Sequence, residues 1–201
     1  MGINERKDRE KQEMRALIIE TAKDMFIQEG FEKTSLRKIA GKIEYSSATI
    51  YLYFKDKSDL FCAIMDQGFE ILLKQFHTDM EIQDPLQRLQ KLGHSYIDFA
   101  LKNTEYYDLM FIMQTNEEPQ TPEQWCLGQN TFECLYKTIE ECIQKDVIRI
   151  SDPVSGSMMF WATVHGMVSL LIRERLVMFP QTEIHNIINN SIENMISAIK
   201  K

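Results

Sequence analysis

At 201 residues, 44% of them hydrophobic, the chain can bury a substantial core as one large or two small domains. Residues 1–15 mix both signs of charge and hold no apolar run, so no secretory signal peptide is expected; the four cysteines (Cys62, Cys126, Cys134, Cys142) lack metal-site spacing and disulfide-scaffold density, as free cytoplasmic thiols would. The net charge of -7 is uneven: residues 1–60 carry 12 Lys+Arg against 11 Asp+Glu and the remainder 11 against 19, so only the N-terminal part is electrostatically fit to approach nucleic acid.

Leu17, Ile18, Ala22, Met25 and Phe26 recur at helical spacing, and Gly30 follows as a stop, so a first helix ends near Glu29. The charged run over residues 5–15 reads as its frayed, solvated start, with phosphate contact through Arg6, Lys7 or Arg9 as the alternative. Thr34 and Ser35 can cap a short helix, Leu36–Lys42, whose Leu36, Ile39 and Ala40 share an apolar face with Ile43. Ser46 can cap a third helix carrying Ala48, Ile50, Tyr51, Tyr53 and Phe54, and two short helices joined by a tight turn predict a helix-turn-helix.

Ser58 opens a long amphipathic helix to about residue 80, able to serve as a strut between two domains. Asp84-Pro85 starts a helix through residue 101, and a shorter helix spans 105–113. A loop over 114–122 precedes a helix over 122–145. Asp152-Pro153 starts an apolar helix ending before Pro180, and Thr182 caps the last one. The run over 158–172 falls short of the roughly 18 apolar residues that cross a bilayer and reads as a buried helix, so no membrane partner is expected. No alternation predicts strands. The expected fold is all-α with about nine helices: a helix-turn-helix domain over residues 1–58 and a helical bundle over 59–201.

The segment from Thr34 to Phe61, TSLRKIAGKIEYSSATIYLYFKDKSDLF, resembles the DNA-binding signature of the tetracycline-repressor (TetR) family at Ile39-Ala40, Ser46, Thr49, Tyr51, Tyr53-Phe54, Lys57 and Leu60. It departs at Glu44 and Ala48, where glycine is common; Glu44 in a left-handed turn would be strained. A short capped helix can place its N-terminal residues against base edges in the major groove, making Ser47, Ala48 and Thr49 the base-reading candidates. The resemblance implies that Arg37 reaches a base and that Thr34, Ser35, Ser46, Tyr51, Tyr53 and Lys57 belong to the DNA interface, largely through phosphates. Ile50 and Phe54 are assigned to the core, and Leu52, with no polar group, is left out.

The resemblance further implies a ligand cavity in the C-terminal bundle and a dimer seam on the last two helices. Ile184, Ile187, Ile188, Ile192, Met195, Ile196 and Ile199 form a stripe wider than one protomer need bury, and with Met167, Leu170 and Leu171 they make the expected homodimer interface. Trp161, His165 and Gly166 resemble a Trp/His/Gly pattern of one C-terminal subgroup; Trp161 and His165 share a face and Gly166 would allow close helix approach. Tyr96, Phe99, Met110, Met113, Trp125, Phe132, Trp161 and His165 are the pocket candidates, in competition with plain core packing, and they imply a small hydrophobic or aromatic effector.

No nucleophile with its base, carboxylate pair, phosphate loop or metal spacing is visible, so neither catalysis, a cofactor nor a metal is expected. The expected function is a cytoplasmic, dimeric, ligand-released repressor on double-stranded operator DNA; the alternative is a helical small-molecule-binding protein without DNA binding.

Overall fold

A computed structural model describes residues 3–113 and 126–201. The loop expected over 114–122 and the pocket candidate Trp125 lie outside the described residues. Nine α-helices occur among them: α1 (Ile3–Glu29), α2 (Leu36–Lys42), α3 (Ser47–Tyr51), α4 (Lys57–Asp79), α5 (Pro85–Lys102), α6 (Thr104–Phe111), α7 (Cys126–Gln144), α8 (Pro153–Ile172) and α9 (Ile184–Ile199). The only strand-like pairing among the described residues is an isolated antiparallel bridge between Ile148 and Lys200.

The chain divides into two compact units, residues 1–68 with 105–124, and 69–104 with 125–201. The division expected after residue 58 falls inside the first turn of α4, which runs on from one unit into the other.

In the first unit Ile18, Ile19, Ala22 and Phe26 of α1 are buried with Leu36, Ile39 and Ala40 of α2 and Ile50 of α3. Phe26, Phe31 and Phe61 close the core as a ring cluster with centroids 5.1 to 5.6 Å apart. The α6 helix is seated here. Lys23 of α1 pairs with Glu105 at 3.2 Å, Tyr106 donates to Gln67 Oε1 at 3.0 Å, and a Cβ on Gly68 would overlap Met110 Sδ and press Tyr106 Cβ at 3.2 Å. Burial alone would depress the Lys23 ammonium, but the carboxylates of Glu20 and Glu105 outweigh it and leave its pKa raised.

In the second unit α5, α7, α8 and α9 pack as a bundle. A Cβ on Gly93 of α5 would meet Phe160 of α8 at 3.1 Å and Ile192 of α9 at 3.6 Å. Arg88 of α5 is buried and pairs with Glu141 of α7, with further bonds to Thr138 Oγ1 at 3.1 Å and the Ile82 carbonyl at 2.9 Å. These bonds answer the desolvation of its charge.

Two expected caps are corrected. Asp56 caps α4 in place of Ser58: its Oδ1 accepts from Asp59 N, and Asp59 Oδ2 accepts in return from Lys55 N, both at 2.8 Å. Before α9 the cap position is Glu183, without a side-chain cap bond, rather than Thr182. The charged run over residues 5–15 is helical within α1 instead of frayed. Helix α8 is, by length and composition, able to cross a membrane, contrary to the shorter span read from the sequence, and only one stripe of it, including Gly156, Ser157, Phe160, Val164 and Val168, is buried.

Candidate functional site

The first site is the pair α2 and α3. Ser35 Oγ caps α2 by accepting from Lys38 N at 3.2 Å. The helix ends in a Schellman motif: Tyr45 N donates to Ala40 O at 2.9 Å, and Glu44 N to Gly41 O at 3.3 Å, with Glu44 at φ 61°. The left-handed residue expected in the turn is therefore present, and it is a glutamate. Ser46 Oγ then caps α3, accepting from Thr49 N at 3.2 Å and bonding Thr49 Oγ1 at 3.0 Å. Ile50 and Phe54 are buried, which fixes the rotation of this five-residue helix and turns Ala48, Tyr51 and Leu52 outward.

Most of the expected DNA-contacting residues are at least partly exposed. Ser35, Arg37, Ser46, Ala48 and Tyr51 are exposed, and Ser47, Thr49, Tyr53 and Lys57 are half-buried. Thr34 is a correction. It is 2% exposed, and its hydroxyl lies within bonding distance of the Gly30 carbonyl at 2.9 Å and the Met25 carbonyl at 3.3 Å, so it holds the α1–α2 corner instead of facing a phosphate. Lys57 spends one donor on the Phe31 carbonyl at 3.0 Å and lies 3.9 Å from that ring's centroid. Leu52, passed over in the sequence, is 78% exposed beside Tyr51. The signal was available: Ala48 and Leu52 are four apart, out of phase with Ile50 and Phe54. An exposed leucine there has the chemistry to meet a thymine methyl.

The second unit gathers part of the expected pocket. Tyr96 Oη lies 2.9 Å from His165 Nδ1 and accepts from Trp161 Nε1 at 3.4 Å, and Phe132 meets Trp161 edge-on at 6.1 Å. Burial lowers the His165 pKa, which favours the neutral imidazole. The indole nitrogen can only donate, so Tyr96 Oη is its acceptor, while the proton shared between Tyr96 Oη and His165 Nδ1 is set by the imidazole tautomer. Phe99 is fully buried. Met110 packs against Gly68 in the first unit, where Met113 also belongs. Gly166 makes no close approach within the protomer: a Cβ there meets nothing within 4 Å.

The seam expected on α9 is corrected in part. Ile188, Ile192 and Ile196 are buried within the protomer's own bundle, Ile192 completely, and are unavailable to a second copy. Met167, Leu171, Ile184 and Met195 are half-buried, and Leu170 is exposed. Met158 and Met159, within the apolar run expected over 158–172, and Val154 before it add exposed apolar surface on α8.

Residues 89–195 match the family described as tetracyclin repressor-like, C-terminal domain, and residues 18–64 match bacterial regulatory proteins, tetR family. The chain is similar to the transcriptional activator FasR of Mycolicibacterium smegmatis, at 25% identity over 125 residues, 61% of this chain and 57% of that one. The chain spans about half the length of the curated relatives it matches. In fold it is similar to a TetR family transcription regulator from Marinobacter aquaeolei VT8, with TM-score 0.77 and 18% identity over 96% of this chain and 99% of that one. It is also similar to FadR from Bacillus subtilis, solved in complex with stearoyl-CoA, with TM-score 0.74 and 18% identity over 92% and 98% of the two chains.

Proposed function

Because the chain belongs to the tetracycline-repressor family, we propose that it is a homodimeric, cytoplasmic transcriptional regulator that holds operator DNA through α3 and releases it when an apolar effector enters the second unit. The observation that carries this is the rotation of α3: Ile50 and Phe54 anchor one side, while Ala48, Tyr51 and Leu52 stand outward on a helix short enough to enter a major groove. Arg37, exposed and without an ion pair among the described residues, supplies the group best suited to guanine. Tyr51, Tyr53, Ser35 and Lys57 supply phosphate donors around it.

For the effector, the aromatic cluster of Tyr96, Phe132, Trp161 and His165 offers apolar walls with a neutral hydrogen-bonding group. That chemistry suits an uncharged carbonyl carried on an apolar chain, and the likeness in fold to FadR, solved with stearoyl-CoA, supports reading the effector as a long-chain acyl thioester. The α4 helix, continuous through both units, is the lever that would convert occupancy into a change of half-site spacing. Exposed Val154, Met158, Met159 and Leu170 of α8 and half-buried Ile184, Ile187 and Met195 of α9 are the surfaces that would form the seam for the second copy.

Genomic fragments selected by the purified protein supply the operator. Tyr51→Ala should then weaken its binding at least tenfold with the helical circular dichroism unchanged. Undiminished binding by this variant removes α3 from the interface. The same assay with stearoyl-CoA tests release, because an effector acts only through unequal affinity for the two states.

A further inference from the structure

The first helix is longer than its core requires. Its buried positions begin at Ile18 and continue through Ala22 and Met25 at steps of four and three. Counting backwards on the same face gives Arg15, Lys11 and Lys7 at steps of three, four and four. One stripe of α1 is therefore core in its C-terminal half and basic in its N-terminal half. The remaining arginines are engaged elsewhere on the helix: Arg6 pairs with Glu10 at 2.7 Å and Arg9 with Glu13 at 3.7 Å. Lys7, Lys11 and Arg15 have no carboxylate partner among the described residues, and all three are exposed. The Arg15 guanidinium sits 5.3 Å from the centroid of Phe54, three residues past the end of α3 and bonded back to it through Phe54 N and the Ile50 carbonyl. The basic ridge therefore begins beside the end of α3 and runs for about 12 Å along α1, at 1.5 Å per residue.

We propose that Lys7, Lys11 and Arg15 form a phosphate-binding arm that grips the DNA backbone flanking the α3 contact. The proposal rests on the DNA-binding reading above and adds residues to it. A helix with both signs of charge all round would gain nothing from a polyanion; here the carboxylates Glu10 and Glu13 are taken up by arginines of other faces, and Asp8, on the edge of the stripe, leaves Lys7, Lys11 and Arg15 with a net charge of 3 - 1 = +2. The ridge can therefore displace condensed counterions as a unit. Phosphate contacts fix register without reading sequence, so the arm adds to specific and non-specific binding alike.

The test is the salt dependence of binding to two duplexes, one carrying a site selected from the genome and one of unrelated sequence. Lys7→Gln with Lys11→Gln touches no packed residue and keeps helix propensity. With a slope of about 0.9 per neutralised phosphate, the double variant should reduce the slope of log K against log salt by roughly 2 on both duplexes. Arg6→Gln with Arg9→Gln, an equal change of charge on other faces, should leave most of the slope in place. Equal slopes for the two double variants, or a loss confined to the selected site, overturn the arm. Wild-type protein that retards neither duplex overturns the DNA-binding reading itself and the arm with it.

Discussion

Glu44 sits at φ 61° at the end of α2, a conformation that costs a side-chain-bearing residue about 1–2 kcal/mol. Glu44→Gly should therefore stabilise the protein by about 1 kcal/mol and raise Tm by roughly 2–4 °C, measured by calorimetry. An unchanged Tm would mean that the carboxylate earns its place through contacts not visible in the turn. Asp79 is a second residue under load. Neither its Oδ2 nor Ser95 Oγ has a hydrogen bond of good geometry among the described residues, and burial raises the Asp79 pKa above its ordinary 3.8, with Ser95 and Lys91 pulling it down. The folded state then binds the proton more tightly than the unfolded one, so this carboxyl costs stability as pH rises through its folded pKa. Asp79→Asn should raise Tm at pH 7, with a gain that shrinks as pH falls toward 4; equal gains at both pH values would contradict the assignment. Residue identities alone made Glu44 legible, because it occupies a turn where glycine is common. They could not reveal Asp79, whose environment is made by the packing of α5 on α4, nor the burial of Thr34, whose hydroxyl lies against the carbonyls of Met25 in α1 and of Gly30 just after it.

Gly68 marks where α6 seats on α4. Gly68→Ala would drive a methyl into Met110 Sδ and Tyr106 Cβ, an overpacking that should cost about 1–3 kcal/mol. Combining it with Met110→Ala should recover part of that loss in urea denaturation. Additive losses would show that the two residues do not share the space. The short elements α2 and α3 were readable in the sequence because capping serines and buried residues three and four apart define them almost completely. Longer helices were legible in kind but less so at their ends: Asp56 outcompetes Ser58 because it accepts from Asp59 N while the Asp59 carboxylate reaches back to Lys55 N, an arrangement that a single-residue rule does not contain. On α9 the isoleucine stripe gave the helix correctly but not its partition. Ile188, Ile192 and Ile196 fill the protomer's own core, and only the edges of the stripe remain for a partner. Periodicity tells that a face is buried and is silent on which chain buries it.

For the whole molecule, that partition separates stability from assembly. Ile192→Ala should lose about 2–5 kcal/mol of stability and leave the proposed dimer intact. Met159→Glu with Leu170→Glu, both on the exposed apolar face of α8, should yield a folded monomer in sedimentation equilibrium and abolish operator retention. A dimer that survives those charges would move the seam elsewhere. The fatty-acyl reading and the groove-reading role of α3 meet in one measurement. Fluorescence anisotropy of a selected genomic duplex and of an unrelated duplex, at one fixed salt concentration, with and without stearoyl-CoA, reports sequence preference and release together. The account predicts that the protein binds the selected duplex at least about a thousandfold more tightly than the unrelated one, and that stearoyl-CoA weakens this binding by about 5- to 150-fold. Equal affinity for the two duplexes would contradict it.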